Sequence, residues 1–170
     1  MKYCFIDFET GGLTVDRSPL QIGIAITDEH YNILQSYEYY ILTDPIIIDS
    51  KALEVNNIDM KDVLALGRNN NDLDEMLVRL WPKKNLIMAG WNVPFDRGFL
   101  TEYFPLINNL LARRTMDIMA VAEFHGFGGS LQSVAKTLLG EREVAHKAMA
   151  DVETTILIAK YLKEHTQWTA

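Results

Sequence analysis

The sequence holds a single cysteine, Cys4, in 170 residues, which rules out a disulfide framework or a cysteine-based zinc site within one chain. Cys4 stands in an apolar stretch and reads as core. No apolar run approaches the roughly 20 residues that cross a bilayer, so no membrane association is expected. A charge already stands at Lys2 and another at Asp7, too early for a signal peptide, and a cytoplasmic location is the expectation. Repeats, low-complexity tracts and linkers rich in Gly, Pro or Ser are missing too, and 1–170 reads as one domain with one core. Positive charge is scarce: 16 Lys and Arg face 23 Asp and Glu, a net charge of −7. That argues against coating long nucleic acid by neutralising its phosphates. A nuclease remains open, because acids that hold divalent cations are offset by them. A short substrate, or one delivered by a partner, suits this balance best.

What is present begins with strands. Lys2 to Glu9 reads as a buried strand ending in charge, broken by Gly11-Gly12. Leu20, Ile22, Ile24 and Ile26 alternate with Gln21, Gly23 and Ala25, a period of two. After a turn at Asp28 to Asn32, Ser36 to Leu42 forms a third strand, so the first three make an antiparallel meander. A loop follows around Pro45. Ser50 to Val55 predicts a short helix. Leu73, Met76, Leu77 and Leu80 predict a longer one, with Asn71 as cap and Pro82 as stop. Leu86 to Gly90 is a short strand, and Pro94 suits the first turn of the helix after it. Arg114 to Met119 fits either a fifth strand or a helix running to Phe124. Ser130 caps a helix that Gly140 ends, and Val152, Ile156, Ala159 and Leu162 line one face of the last. The fold class is α/β, with a sheet of about five strands and helices packed on it.

Three acidic pieces stand out. Asp7 and Glu9 are two apart on a strand, hence on one face and about 6–7 Å apart along the backbone, within reach of one cation. A solvated strand end explains the pair alone equally well. Asp96, in Gly90-Trp91-Asn92-Val93-Pro94-Phe95-Asp96, falls in the first turn of a helix, where a carboxylate also complements the helix dipole. Strand ends and the helix starts that follow them are nevertheless where open α/β sheets gather their sites. His146 and Asp151 would lie about 140° apart on one helix. They share a site most easily with His146 in the preceding loop and Asp151 in the first turns. Taken singly, each piece has an ordinary structural explanation. Together they are the hard-oxygen set that two-metal catalysis uses, and they select Mg²⁺ or Mn²⁺.

These motifs resemble the DEDDh family of 3′–5′ exonucleases, within the ribonuclease H-like superfamily. Asp7-Phe8-Glu9-Thr10 matches its Asp-x-Glu-Thr strand end. Asn92 through Phe95-Asp96 matches its second motif, and His146 with Asp151 matches His-x₄-Asp. The resemblance runs from Lys2 to about Lys163. It implies a mixed five-stranded sheet with helices on both faces. It also implies two Mg²⁺ or Mn²⁺ ions held by Asp7, Glu9, Asp96 and Asp151, with His146 as general base. Asp7, Glu9 and Asp151 would hold the first ion; Asp7 and Asp96 would serve the second. Thr10, Gly12 and Leu13 would grip the terminal nucleotide, Leu13 as a wedge, while Asn92 and Phe99 would line the groove. Two departures stand out: Gly11 where many members have Thr or Ser, and Asn56-Asn57 where His-Gly is usual.

The expected function is hydrolysis at the 3′ end of single-stranded nucleic acid, DNA before RNA, releasing nucleoside 5′-monophosphates. The alternatives are an exoribonuclease for short RNA, a proofreading subunit working with a polymerase partner, and a non-catalytic binding module. All four acids and the His are present, which argues against the last. Aromatics at Phe124 and Phe127, beside Gly126, Gly128 and Gly129, could stack on bases, though core packing is the more ordinary role.

Overall fold

The computed structural model describes residues 1–56, 58–82, 84–140 and 147–165, with the side chains of 53, 55 and 56 left aside. Its centre is β1 (Tyr3–Thr10), flanked by β2 (Pro19–Thr27) on one side and β5 (Leu86–Gly90) on the other. β2 runs antiparallel to β1, and β3 (Ile33–Leu42) antiparallel to β2, so the expected meander is present. β5 and β6 (Leu111–Asp117) extend the sheet in parallel on the far side. A two-residue strand, β4 (Arg68–Asn69), pairs with the end of β3 and makes a sixth, one more than the sequence predicts. Two residues are too few to leave a periodicity.

Helices cover both faces. On one lie α3 (Asn70–Leu80), α4 (Val93–Tyr103) and α5 (Pro105–Leu110), packed with Ile6, Ile22, Ile24 and Ile26 in one apolar cluster. On the other lie α6 (Ile118–Phe124), α7 (Leu131–Leu139) and the 18-residue α8 (Ala148–His165), packed with Phe5, Ala25 and Ala89. The alternation in β2 therefore marks a change of residue size across a strand buried on both faces, not an inside and an outside. Its large Ile side chains meet α3 and α4, while Gln21, Gly23 and Ala25 let α8 approach closely. β2 is buried along its whole length for that reason.

The remaining elements follow local chemistry. α1 (Ser50–Asn56) and α2 (Met60–Leu66) fill the crossover from β3, and Asp59 caps α2 by accepting the Lys61 N–H. The cap of α3 is Asn69, with Asn71 as the donor rather than the cap. The ambiguity at Arg114 to Met119 resolves into both elements, because Asp117 ends β6 and caps α6. Ser130 caps α7 and Gly140, at φ 86°, ends it as expected. Cys4 is fully buried, and burial pushes its thiol pKa up, so it is core and unreactive. Trp81 packs against the α3–α4 core and Trp91 against the α8 core; Phe127 joins the latter, while Phe124 stands 76% exposed at the end of α6. Among the described residues, no helix is long and apolar enough to cross a membrane.

Candidate active site

The site lies where β1 outruns its parallel neighbour. β1 and β5 pair only from Tyr3 to Phe5, so the end of β1 projects beyond the sheet on that side. Phe5, Asp7 and Glu9 fall on the α8 face by the period of two, and the apolar stripe becomes acidic where the strand emerges. α8 crosses this face and presents Asp151 in its first turn. Carboxylate oxygens of Asp7, Glu9 and Asp151 all lie within 4.8 Å of one another. Asp96 comes from the first turn of α4 and is 2% exposed. Its Oδ1 accepts the Phe8 N–H at 2.9 Å, a donor that β5 stops too soon to pair. Asp7, Glu9 and Asp151, from two strand positions and a helix start, thus come together, and Asp96 stands near enough to Asp7 to raise its pKa. His146, like Asn57 of the Asn56-Asn57 pair, lies outside the described residues.

The electrostatics are those of a site built for cations. Burial raises the Asp7 pKa well above the ordinary carboxylate range, and repulsion from Asp96, Asp151 and Glu9 adds to it. Glu9 is pushed up to about 8, first by burial and then by Asp151. Asp96 is raised by burial; the Phe8 N–H pulls the other way, while Glu9 and Asp117 push up. Ionised together without a counter-ion, these groups oppose one another in a poorly solvated place. An all-oxygen donor set of this kind could hold divalent cations, whose charge would offset that repulsion.

A cleft of about 690 Å³ opens beside the acids, lined by Phe8, Glu9, Thr10, Gly12, Leu13, Phe95 and the Ile48–Ala52 segment. Three of the predicted substrate residues are therefore on its wall. Leu13 is 86% exposed. The Thr10 hydroxyl donates to the Gly12 carbonyl at 2.6 Å and braces the turn. Phe99 is placed differently: it is 1% exposed, in the core behind Phe95, with ring centroids 5.1 Å apart, and Phe95 is the aromatic that reaches the cleft. Helical spacing alone does not say which of two aromatics four residues apart turns outward. Asn92 is exposed at the N-terminus of α4 with φ 62°, a left-handed conformation that Asn tolerates. The departure at Gly11 has a steric cause, since a Cβ there would stand 2.7 Å from the Ile47 carbonyl oxygen. That close approach lets the 47–49 segment form the far wall, tied across by Arg17 Nε to Asp49 Oδ1 at 2.7 Å.

Sequence reading passed over Asp117. Its carboxylate accepts N–H groups at two helix starts: Asn92 and Val93 at 3.2 and 3.1 Å, and Met119 and Ala120 at 3.0 and 3.4 Å. The only local signal is an Asp at the junction of strand and helix. Asp117→Ala should lower stability by about 1–2 kcal/mol in urea titrations, as losing a helix cap does; Asp117→Asn, which keeps an acceptor, should recover much of it.

The RNase_T family model, described as Exonuclease, matches residues 4–159. The chain belongs to this exonuclease family. Its relatives are DEDD-type 3′–5′ exonucleases of ribonuclease H-like fold, and it is a 3′–5′ exonuclease in the same sense. The oligoribonuclease of Neisseria meningitidis serogroup C is 24% identical over 179 residues, covering 95% of this chain and 90% of that one. The Francisella tularensis oligoribonuclease is 24% identical over 174 residues, covering 94% and 93%. Among solved structures, exonuclease I superposes with a TM-score of 0.80 at 23% identity over 95% of this exonuclease. The zinc-bound complex of Escherichia coli exonuclease I with single-stranded DNA also gives 0.80, at 21% identity. This exonuclease spans about 40% of the exonuclease I chains, so that likeness is one of fold.

Proposed function

We propose that this chain removes nucleoside 5′-monophosphates one at a time from single-stranded 3′ ends, using two Mg²⁺ or Mn²⁺ ions. The observation that carries this reading is the Asp7–Glu9–Asp151 cluster, its oxygens within 4.8 Å of one another beside an open cleft. Bound divalent ions would lower the pKa of the attacking water and stabilise the leaving 3′ oxygen. Asp7, Glu9 and Asp151 would hold the first ion, and Asp7 with Asp96 the second. Phe8, by donating to Asp96, keeps that carboxylate turned toward the strand acids. His146 would take the proton from the water as general base. Leu13, Phe95 and Ile48 offer apolar surface to the terminal bases, while Thr10 and the backbone near Gly12 would hold the 3′ hydroxyl.

DNA is the first substrate proposed. The whole-length likeness to oligoribonucleases supports short RNA as the second reading. The test is a comparison of 5′-labelled single-stranded DNA and RNA of several lengths with Mn²⁺ and Mg²⁺. A ladder shortening from the 3′ end is expected, and relative rates assign the substrate. Failure to shorten either polymer with either metal would overturn the reading. His146→Ala should cut turnover by roughly 10²–10⁴-fold while Mn²⁺ affinity, measured by calorimetry, stays near wild type. An equal loss of both would make His146 structural.

A further inference from the structure

Two of the clustered carboxylates belong to a strand and the third to a helix, so the cluster exists only if α8 is held at a set place on the sheet. We propose that Gln21, backed by Glu38, is a positioning residue that seats the first turn of α8 and thereby sets Asp151 against Asp7 and Glu9. Glu9 stands opposite Gln21 and Asp7 opposite Gly23, and Gly23 in turn stands opposite Glu38. Residues directly opposed on antiparallel strands share a face. Gln21, Gly23 and Glu38 therefore lie in the same rows as the two strand acids, on the side that α8 crosses.

A Cβ on Gly23 would lie 2.6 Å from the Ala148 carbonyl carbon and 2.7 Å from the Met149 nitrogen, so the helix start rests on bare strand backbone. Gln21 Oε1 accepts the Ala148 N–H at 3.2 Å, and Glu38 Oε1 accepts the Met149 N–H at 3.3 Å. Gln21 Nε2 donates to the same Glu38 oxygen at 3.3 Å, joining the two acceptors into one unit. The first N–H groups of a helix have no partner within it, and here β2 and β3 supply them. Gln21 is 3% exposed, a buried amide with both ends used. As a neutral acceptor it grips the helix without adding charge beside Glu9.

The proposal rests on the metal-binding reading above, and its test separates the two. Q21L, E38A and E38Q proteins are compared with wild type for Mn²⁺ affinity by calorimetry, urea stability, and amide hydrogen exchange at Ala148 and Met149 without metal. Q21L and E38A are expected to weaken Mn²⁺ binding by about 10–100-fold, the usual cost of losing a group that orients a metal ligand. Their activity should recover as Mn²⁺ is raised, with Ala148 and Met149 exchanging faster than in wild type. E38Q keeps the acceptor oxygen and should behave like wild type. Folded Q21L and E38A proteins with unchanged Mn²⁺ affinity would overturn the proposal, as would an affinity loss no larger than the fraction unfolded. If wild type itself binds no Mn²⁺, the metal reading falls. Unchanged amide exchange in the variants would then overturn the positioning role as well.

Discussion

Replacing Asp7 with Asn is expected to lower the rate of 3′-end hydrolysis by about 10³–10⁴-fold. Metal ions contribute several kcal/mol of transition-state stabilisation in such sites, and each 1.36 kcal/mol is a factor of ten. Loss of Asp7 is expected to cost most, because in the proposed arrangement it serves both ions: it belongs to the Asp7–Glu9–Asp151 cluster, whose oxygens lie within 4.8 Å of one another, and Asp96 raises its pKa. The same substitution is expected to stabilise the metal-free protein at pH 8 by about 0.5–2 kcal/mol, the trade-off typical of strained active sites. A neutral amide removes the cost that wild type bears there, either of charging a buried carboxyl beside three other acids or of keeping it protonated above its ordinary pKa. Initial rates on labelled single-stranded DNA with Mn²⁺, beside urea unfolding in a chelator, measure both effects. A rate within tenfold of wild type would mean that Asp7 does not hold the catalytic ions. Lower stability in Asp7→Asn would mean that the acids do not repel one another as the geometry requires.

The second large effect is on pH. Glu9 has an ordinary value of 4.5 and about 8 in the folded, metal-free protein. Asp7 is displaced in the same direction. Folded protein therefore holds protons that the unfolded chain has released, and the stability they carry is complete below about pH 4.5. It is lost as pH rises toward 8, at about 1.4 kcal/mol per pH unit for each such proton, a total on the order of a few kcal/mol for Glu9 alone. Cations compete with those protons for the same oxygens, so Mn²⁺ should remove the loss and its affinity should rise with pH across this window. Urea titrations at pH 5 to 8, with chelator and with saturating Mn²⁺, check this. Parallel pH profiles in the two series would contradict it.

Both expectations were partly legible in the residues. Asp7 and Glu9 share a face because side chains alternate on a strand, and Asp151 falls early in a helix because the apolar spacing that follows it is helical. Ser130 and Gly140 bound α7 by the same local chemistry, and β5 could be read to the residue from its apolar run. Such features depend on neighbours in sequence, which is why they could be read there. Their convergence could be anticipated only from the order of three motifs.

Tertiary structure decided the rest. It placed Phe95 in the cleft and Phe99 in the core, a choice set by the roll of α4 on the sheet and invisible to spacing. Gly11 became a close approach to Ile47, and Asp117 a cap shared by two helix starts that stand far apart in the chain. The alternation in β2 turned into a distinction between a face that packs Ile side chains and a face bare enough to seat α8. Which residue types could hold a cation was settled by the sequence itself. That Asp7, Glu9 and Asp151 meet, with Asp96 beside them, was decided by strand register, by where β5 ends beside β1, and by the fit of one helix against Gly23, because those distances are set between elements and not within them.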